Sequence, residues 1–165
     1  MMTQERYDAL VRSLRNYPQA VDLLKGMNRA LTMLCYVIYP LLLAWLYVSE
    51  DERLLRCILV PGIMFVAVSV FRAVLNAPRP YEQGIDSLLK KKRTGHSFPS
   101  RHVFSAFMIA MTYFYIYPGF GAALLFVGLL IAVIRVVGGV HYPKDVLAGA
   151  LIAILSGGIG FWIIP

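Results

Sequence analysis

The sequence predicts an all-α, polytopic membrane helical bundle, with about five transmembrane helices and an N-terminal amphipathic helix. Three observations predict it. Of the 165 residues, 59% are hydrophobic and only 15% are charged, more apolar surface than a soluble domain of this length can hide. The apolar residues fall in runs of the length that crosses a bilayer, roughly 20 residues each. Backbone groups in lipid must pair within their own segment, which leaves helices as the spanning form.

In chain order, residues 3–14 put Tyr7, Leu10, Val11 and Leu14 on one face at helical spacing. That pattern suits a helix lying on the membrane surface or one docked on the bundle. Residues 1–28 read as an interfacial segment and not as a signal peptide, because no early apolar core with a small-residue cleavage site is present. Residues 30–48 carry no charge and form the first span. The turn "SED" leads into residues 54–77, apolar apart from Arg56, Arg72 and a few small or polar residues. Residues 103–117 and 119–134 are short third and fourth spans separated at Pro118, and residues 146–164 make the fifth. Cys35 and Cys57 lie inside spans and read as small buried hydrophobes, not as a disulfide or a metal pair. One domain covers residues 1–165.

This topology gathers three polar segments. The second span ends at a long connection, residues 78–99, and the third begins there. The fourth returns to the same side and the fifth leaves from it. "RAVLNAPRP", "SFPSRH" and "RVVGGVHYPKD" therefore meet at one membrane face, and the chain's three histidines, His96, His102 and His141, all belong to it. The net charge of +7 is divided among membrane flanks, so the expected partners are membrane lipids and phosphate, not nucleic acid.

The residue types in these segments suit an anion. Arg72 and Arg79 are seven residues apart, which on a continuous helix is one face, and Pro78 and Pro80 end the helix, so that Arg79 sits where backbone regularity stops. Two adjacent guanidiniums repel unless an anion lies between them, and the arginine fork suits phosphate. The plainer reading is a pair of membrane-interface arginines, which fits Arg72 less well because it sits inside an apolar run. Ser100 follows Pro99 at a helix start, where free N–H groups attract anions; a serine there also serves as an ordinary N-cap. Gly138 and Gly139 interrupt the fourth helix before His141, and Pro143 starts the fifth, with Asp145 in its first turn. That carboxylate can accept the Nδ1–H of His141 and leave Nε2 as a nucleophile; alone, it would also be a favourable charge at a helix N-terminus. His96 has no task and reads as an exposed loop histidine.

Together, in order and at these spacings, the segments resemble the signature of the type 2 phosphatidic acid phosphatase family, which is related in fold to the vanadium haloperoxidases. That signature is a Lys six residues before Arg-Pro, then Pro-Ser-Gly-His, then Ser-Arg, five residues, His, three residues and Asp. The resemblance spans residues 72–145, and "HYPKDVLAG" extends it into the last span. Arg72 stands where the family usually has Lys, Arg101 replaces Gly, and Ile134 replaces the Ser before Arg135; the family also often has six spans. Arg101 brings a cation that is available to a second phosphate.

The resemblance implies a lipid phosphatase that needs neither metal nor cofactor. His141 would attack phosphorus to give a phosphohistidine, Asp145 would orient it, and His102 would protonate the leaving oxygen and then activate water. Arg72, Arg79, Ser100 and Arg135 would hold the phosphate oxygens, with Arg101 beside them. The sequence agrees about metal, since Asp145 is committed to His141 and no acidic cluster suits magnesium. Expected substrates are a lipid phosphate or pyrophosphate: undecaprenyl pyrophosphate, phosphatidylglycerol phosphate or phosphatidic acid. A lipid-to-lipid phosphotransferase and a non-enzymatic lipid-phosphate binder or transporter are the alternatives, although a binder has no use for a His–Asp pair and a second His. With five spans, Arg6, Arg12, Arg15, Lys25 and Arg29 share a side with Lys90, Lys91, Lys92 and Arg93, and only Arg53 and Arg56 lie opposite. The positive-inside rule then puts the active face of an integral protein of a bacterial cell membrane in the cytoplasm, whereas the family resemblance pulls toward the outer face.

Overall fold

The computed structural model describes residues 3–89 and 94–164. Among them are six α-helices and no strand: α1 (Gln4–Arg15), α2 (Pro18–Val48), α3 (Leu54–Leu75), α4 (Arg101–Ile116), α5 (Pro118–Val137) and α6 (Pro143–Gly158). A 3-10 turn, Pro80–Gln83, follows α3, and a π-helical turn, Ile159–Ile163, prolongs α6. The basic run Lys90–Arg93 lies outside the described residues.

Four of these elements are long and apolar enough to cross a membrane: α2, α3 with the turn after it, α5, and α6 with its extension. The expected third span, α4, has 16 residues, about 24 Å of helix, and falls short of that measure. Its environment explains its shortness. Most of its side chains, from Val103 to Ile116, are buried among the other helices, so α4 is solvated by protein and need not match the thickness of the lipid.

The apolar run that marks the first span begins at residue 30, but α2 begins at Pro18. Proline at a helix start gives up no hydrogen bond, and the extra turns carry Leu24 against the cluster of Leu89, Ile134 and Val140, which Leu31 of the apolar run also meets. Of the two placements open for α1, the structure has the docked one. Thr3 caps the helix by accepting from the Arg6 N–H (3.4 Å). Tyr7 and Val11 are fully buried and cluster with Ile85 and Tyr142. The Tyr7 hydroxyl donates to the Val137 carbonyl (2.9 Å) and accepts from the Leu88 N–H (3.3 Å). This sets the N-terminus at the same end of the bundle as the loop before His141. Cys35 and Cys57 are buried free thiols, as expected.

Close approach of α6 to the first turn of α4 depends on Gly149. A Cβ there would lie 2.7 Å from the Ser100 carbonyl oxygen and 3.3 Å from the Phe104 nitrogen. The Ser100 N–H crosses the same contact to the Asp145 carbonyl (2.8 Å). Gly149→Val should push the helices apart at a cost of about 1–3 kcal/mol. The expected result is a lower melting temperature in detergent together with reduced activity; a variant that melts like the parent would show that the helices slide apart freely.

Candidate active site

Helix α3 stops at Leu75, because Asn76 turns left-handed (φ 41°) and donates its N–H to the Arg72 carbonyl (3.0 Å). Arg79 therefore sits off the helix, as Pro78 and Pro80 imply, and helical spacing does not itself set its place beside Arg72. It comes from extended backbone (φ −88°, ψ 160°) between two prolines. Even so, both side chains reach one cavity of about 460 Å³, lined also by Arg101, His102 and Arg135. Each comes from an element end: the last turn of α3, the loop after it, the first turn of α4 and the last turn of α5.

The loop of residues 94–99 is tied down by the same cations. Arg72 donates to the carbonyls of His96 and Ser97, the latter at 3.4 Å. Arg79 Nε donates to the Gly95 carbonyl (2.9 Å). Glu82 accepts from the N–H groups of both Arg79 (2.7 Å) and Gly95 (2.8 Å). Gly95 must be glycine here: its φ is +63°, and a Cβ would fall 2.1 Å from Asn76 Oδ1. His96 is exposed, as its sequence context suggests, but its carbonyl holds Arg72 and its Nδ1 lies 3.0 Å from the Arg72 carbonyl.

His141 and Asp145 form a buried pair, 1% and 0% exposed, with Nδ1 3.5 Å from Oδ2. The same Oδ2 accepts from Ser97 Oγ (2.5 Å) and from the Tyr142 N–H (3.0 Å), while Asp145 Oδ1 has no hydrogen-bond partner among the described residues. The His141 N–H points to the Arg135 carbonyl (3.3 Å), so the imidazole hangs from the turn that carries an arginine of the cavity. Ser100, His141 and Asp145 do not line the cavity themselves; they are buried in the wall beside it. Ser100 begins α4, yet its hydroxyl does not cap the helix. Its Oγ, 0% exposed, is without a partner among the described residues, and so is Arg135 Nε. Unpaired buried polar atoms of this kind are costly and call for an explanation.

Burial pushes the His141 imidazole down, to about 4, helped by Arg79 and Arg135 and opposed by Asp145. The ring is thus neutral at physiological pH, the form a nucleophile needs. The lowered value lets the ring keep its lone pair as pH falls, until about pH 4. In a ¹⁵N titration of the histidine rings, the His141 signal, assigned by its loss in a His141→Asn variant, should remain neutral at about pH 5.5, where an ordinary histidine is mostly charged. A midpoint near 6.5 would contradict it.

The family model of the PAP2 superfamily matches residues 53–165. The chain belongs to the PAP2 superfamily. It is 28% identical over 138 residues to the bacitracin transport permease protein BcrC of Bacillus licheniformis, covering 81% of this chain and 67% of that one. It is 30% identical over 137 residues to the undecaprenyl-diphosphatase BcrC of Bacillus subtilis, covering 79% and 70%. Among solved structures, Aquifex aeolicus LpxE superposes with a TM-score of 0.71 at 28% identity, over 94% of this chain and 92% of that one. A PAP2-type phosphatidylglycerolphosphate phosphatase from Bacillus subtilis gives 0.66 at 21% identity, over 98% and 87%, a likeness of fold.

This PAP2 protein is a membrane phosphatase, and its departures from the family pattern have visible structural counterparts. Arg72, in place of Lys, spends two donors on loop carbonyls. Ile134, in place of Ser, packs with Leu89 and Val140. Arg101, in place of Gly, lays its guanidinium over the Phe65 ring, 5.6 Å from the centroid. Two residues of the site carried no signal in the sequence. Ser97 stands within "SFPSRH" but looks like any loop serine, and Glu82 looks like a solvated charge. Only the fold reveals that one touches Asp145 and the other pins Arg79 and Gly95.

Proposed function

We propose that this enzyme hydrolyses a phosphate monoester or diphosphate on a membrane lipid, without metal, through a phosphohistidine at His141. The observation that carries the reading is the buried His141–Asp145 pair beside a cavity lined by four arginines. Asp145 holds the Nδ1–H tautomer, which leaves the Nε2 lone pair for in-line attack on phosphorus. Arg79, Arg135 and the Ser100 hydroxyl grip the equatorial oxygens as charge spreads in the transition state, with Arg72 and Arg101 adding positive field. His102, on the cavity wall, gives a proton to the leaving oxygen and then takes one from the water that cleaves the N–P bond. The lipid tail leaves through the lining between α2 and α3, where Tyr36 and Phe65 are exposed.

The test is phosphate release from a panel of lipid monophosphates and diphosphates in detergent with EDTA, for the parent and His141→Ala. Release by the parent that resists EDTA and vanishes in the variant supports the reading. Loss of activity on chelation, or an active variant, overturns it. We also infer that the active face is cytoplasmic, in a bacterial cell membrane: the docked α1 puts the basic N-terminal segment at the catalytic end of the bundle. With Cys35 and Cys57 replaced, a cysteine at Lys91 should resist an impermeant thiol reagent on intact cells; labelling would put that face outside.

A further inference from the structure

We propose that Arg101, with Ser105 one turn beyond it, forms a subsite for a second phosphate, so that the enzyme prefers a lipid diphosphate to a lipid monophosphate with the same tail. The inference rests on the phosphatase reading above and adds the substrate class. It comes from where the positive charge lies along the cavity. Helix α4 enters the bundle from the catalytic end, and Arg101, Ser105 and Ile109 all line the cavity at steps of four residues, the spacing of one helix face. The lining along that face therefore passes from cation to hydroxyl to hydrocarbon. Helix α5 repeats the order, with Arg135 at the catalytic end and Ile131 a turn deeper.

Depth is fixed independently by α3. Phe65 precedes Arg72 by seven residues on that helix, about 10 Å toward the bilayer interior. Because the Arg101 guanidinium stacks on Phe65, its charge lies on the tail side of the cluster formed by Arg72, Arg79 and Arg135. A transferred phosphoryl group held by that cluster would place its leaving group toward Arg101. In a monoester that leaving group is a lipid alcohol oxygen, which takes a proton from His102 and brings no further phosphate oxygens for a guanidinium to hold. In a diphosphate it is the remaining phosphate, whose oxygens suit the arginine fork and a hydroxyl. The step balances. The His141 Nε2–P bond forms as the bond from the terminal phosphorus to the bridging oxygen breaks, and the bridging oxygen leaves with the lipid monophosphate. Water then cleaves the N–P bond and releases inorganic phosphate.

The experiment compares kcat/KM for a polyprenyl diphosphate and for the polyprenyl monophosphate of the same tail, in detergent. The parent should favour the diphosphate at least tenfold. Arg101→Gly should reduce that ratio at least tenfold, and Arg101→Lys, which keeps the charge but not the fork, should fall between it and the parent; both variants should melt like the parent, which answers for folding. A parent with equal rates on both substrates, or an Arg101→Gly variant whose ratio is unchanged, overturns the subsite while leaving the phosphatase reading in place. Failure of the parent to release phosphate from either compound overturns both.

Discussion

Replacing His141 with alanine should lower kcat for phosphate release by about ten-thousand-fold or more, the scale on which a lost covalent nucleophile is felt. The structure allows this to be separated from unfolding. Asp145 keeps two of its partners when the imidazole goes, the Ser97 hydroxyl and the Tyr142 N–H, and its backbone carbonyl still accepts from Ser100. The carboxylate is not stranded, so the fold should persist with a modest loss of stability from the vacated space. His141→Asn sharpens the test. Its amide can still donate toward Asp145 but cannot attack phosphorus, so it should be as inactive as alanine while melting closer to the parent. Single-turnover assays under acid and alkaline quench supply a second readout: the parent should show a phosphoryl group that survives base and is lost in acid, and neither variant should. Retention of more than about 1% of parental kcat by His141→Asn would assign the attack on phosphorus to another group.

Much of this arrangement is legible in the chain because polar residues inside apolar runs are expensive and so carry information. Arg72 stands out for that reason, and counting spans is enough to bring its segment to one face with those of Arg135 and Asp145. Proline and glycine mark the element ends that aim the side chains: Pro143 does start α6, and Gly138 and Gly139 do precede His141. What stayed hidden depends on backbone paths that no spacing reports. Pro78 and Pro80 announce that Arg79 leaves the helix, but nothing in the sequence marks the left-handed turn at Asn76 that already ends α3 at Leu75. The partners of Ser97 and Glu82 lie 48 and 13 residues away, and common residue types in loops do not announce such contacts. The shortness of α4 is legible in the chain, but its surroundings are not. Hydropathy reports that a segment is buried, but not whether lipid or protein surrounds it.

Arg135→Leu should move activity and stability in opposite directions. Arg135 is the largest fully buried side chain, 1% exposed, with its Nε unpartnered among the described residues. A cation held this way costs several kcal/mol in the empty enzyme, and on the proposed reading a bound phosphate would offset that cost. Removing one donor aimed at a developing oxyanion lowers kcat/KM about a hundred- to a thousandfold. A leucine, by contrast, suits a site next to buried Ile131, Ala132 and Ile134 and ends the burden of desolvation. The substrate-free variant should therefore melt at the parental temperature or above it. Ligand linkage gives the complementary result: saturating vanadate should raise the melting temperature of the parent and raise that of Arg135→Leu much less. Arg135→Lys should recover little activity, because a point charge on a flexible stem does not reproduce the two-pronged grip of a guanidinium. A leucine variant that loses stability along with activity would mean that Arg135 is a strut of the fold, and the cationic cavity would lose the member on which the grip on phosphate most depends.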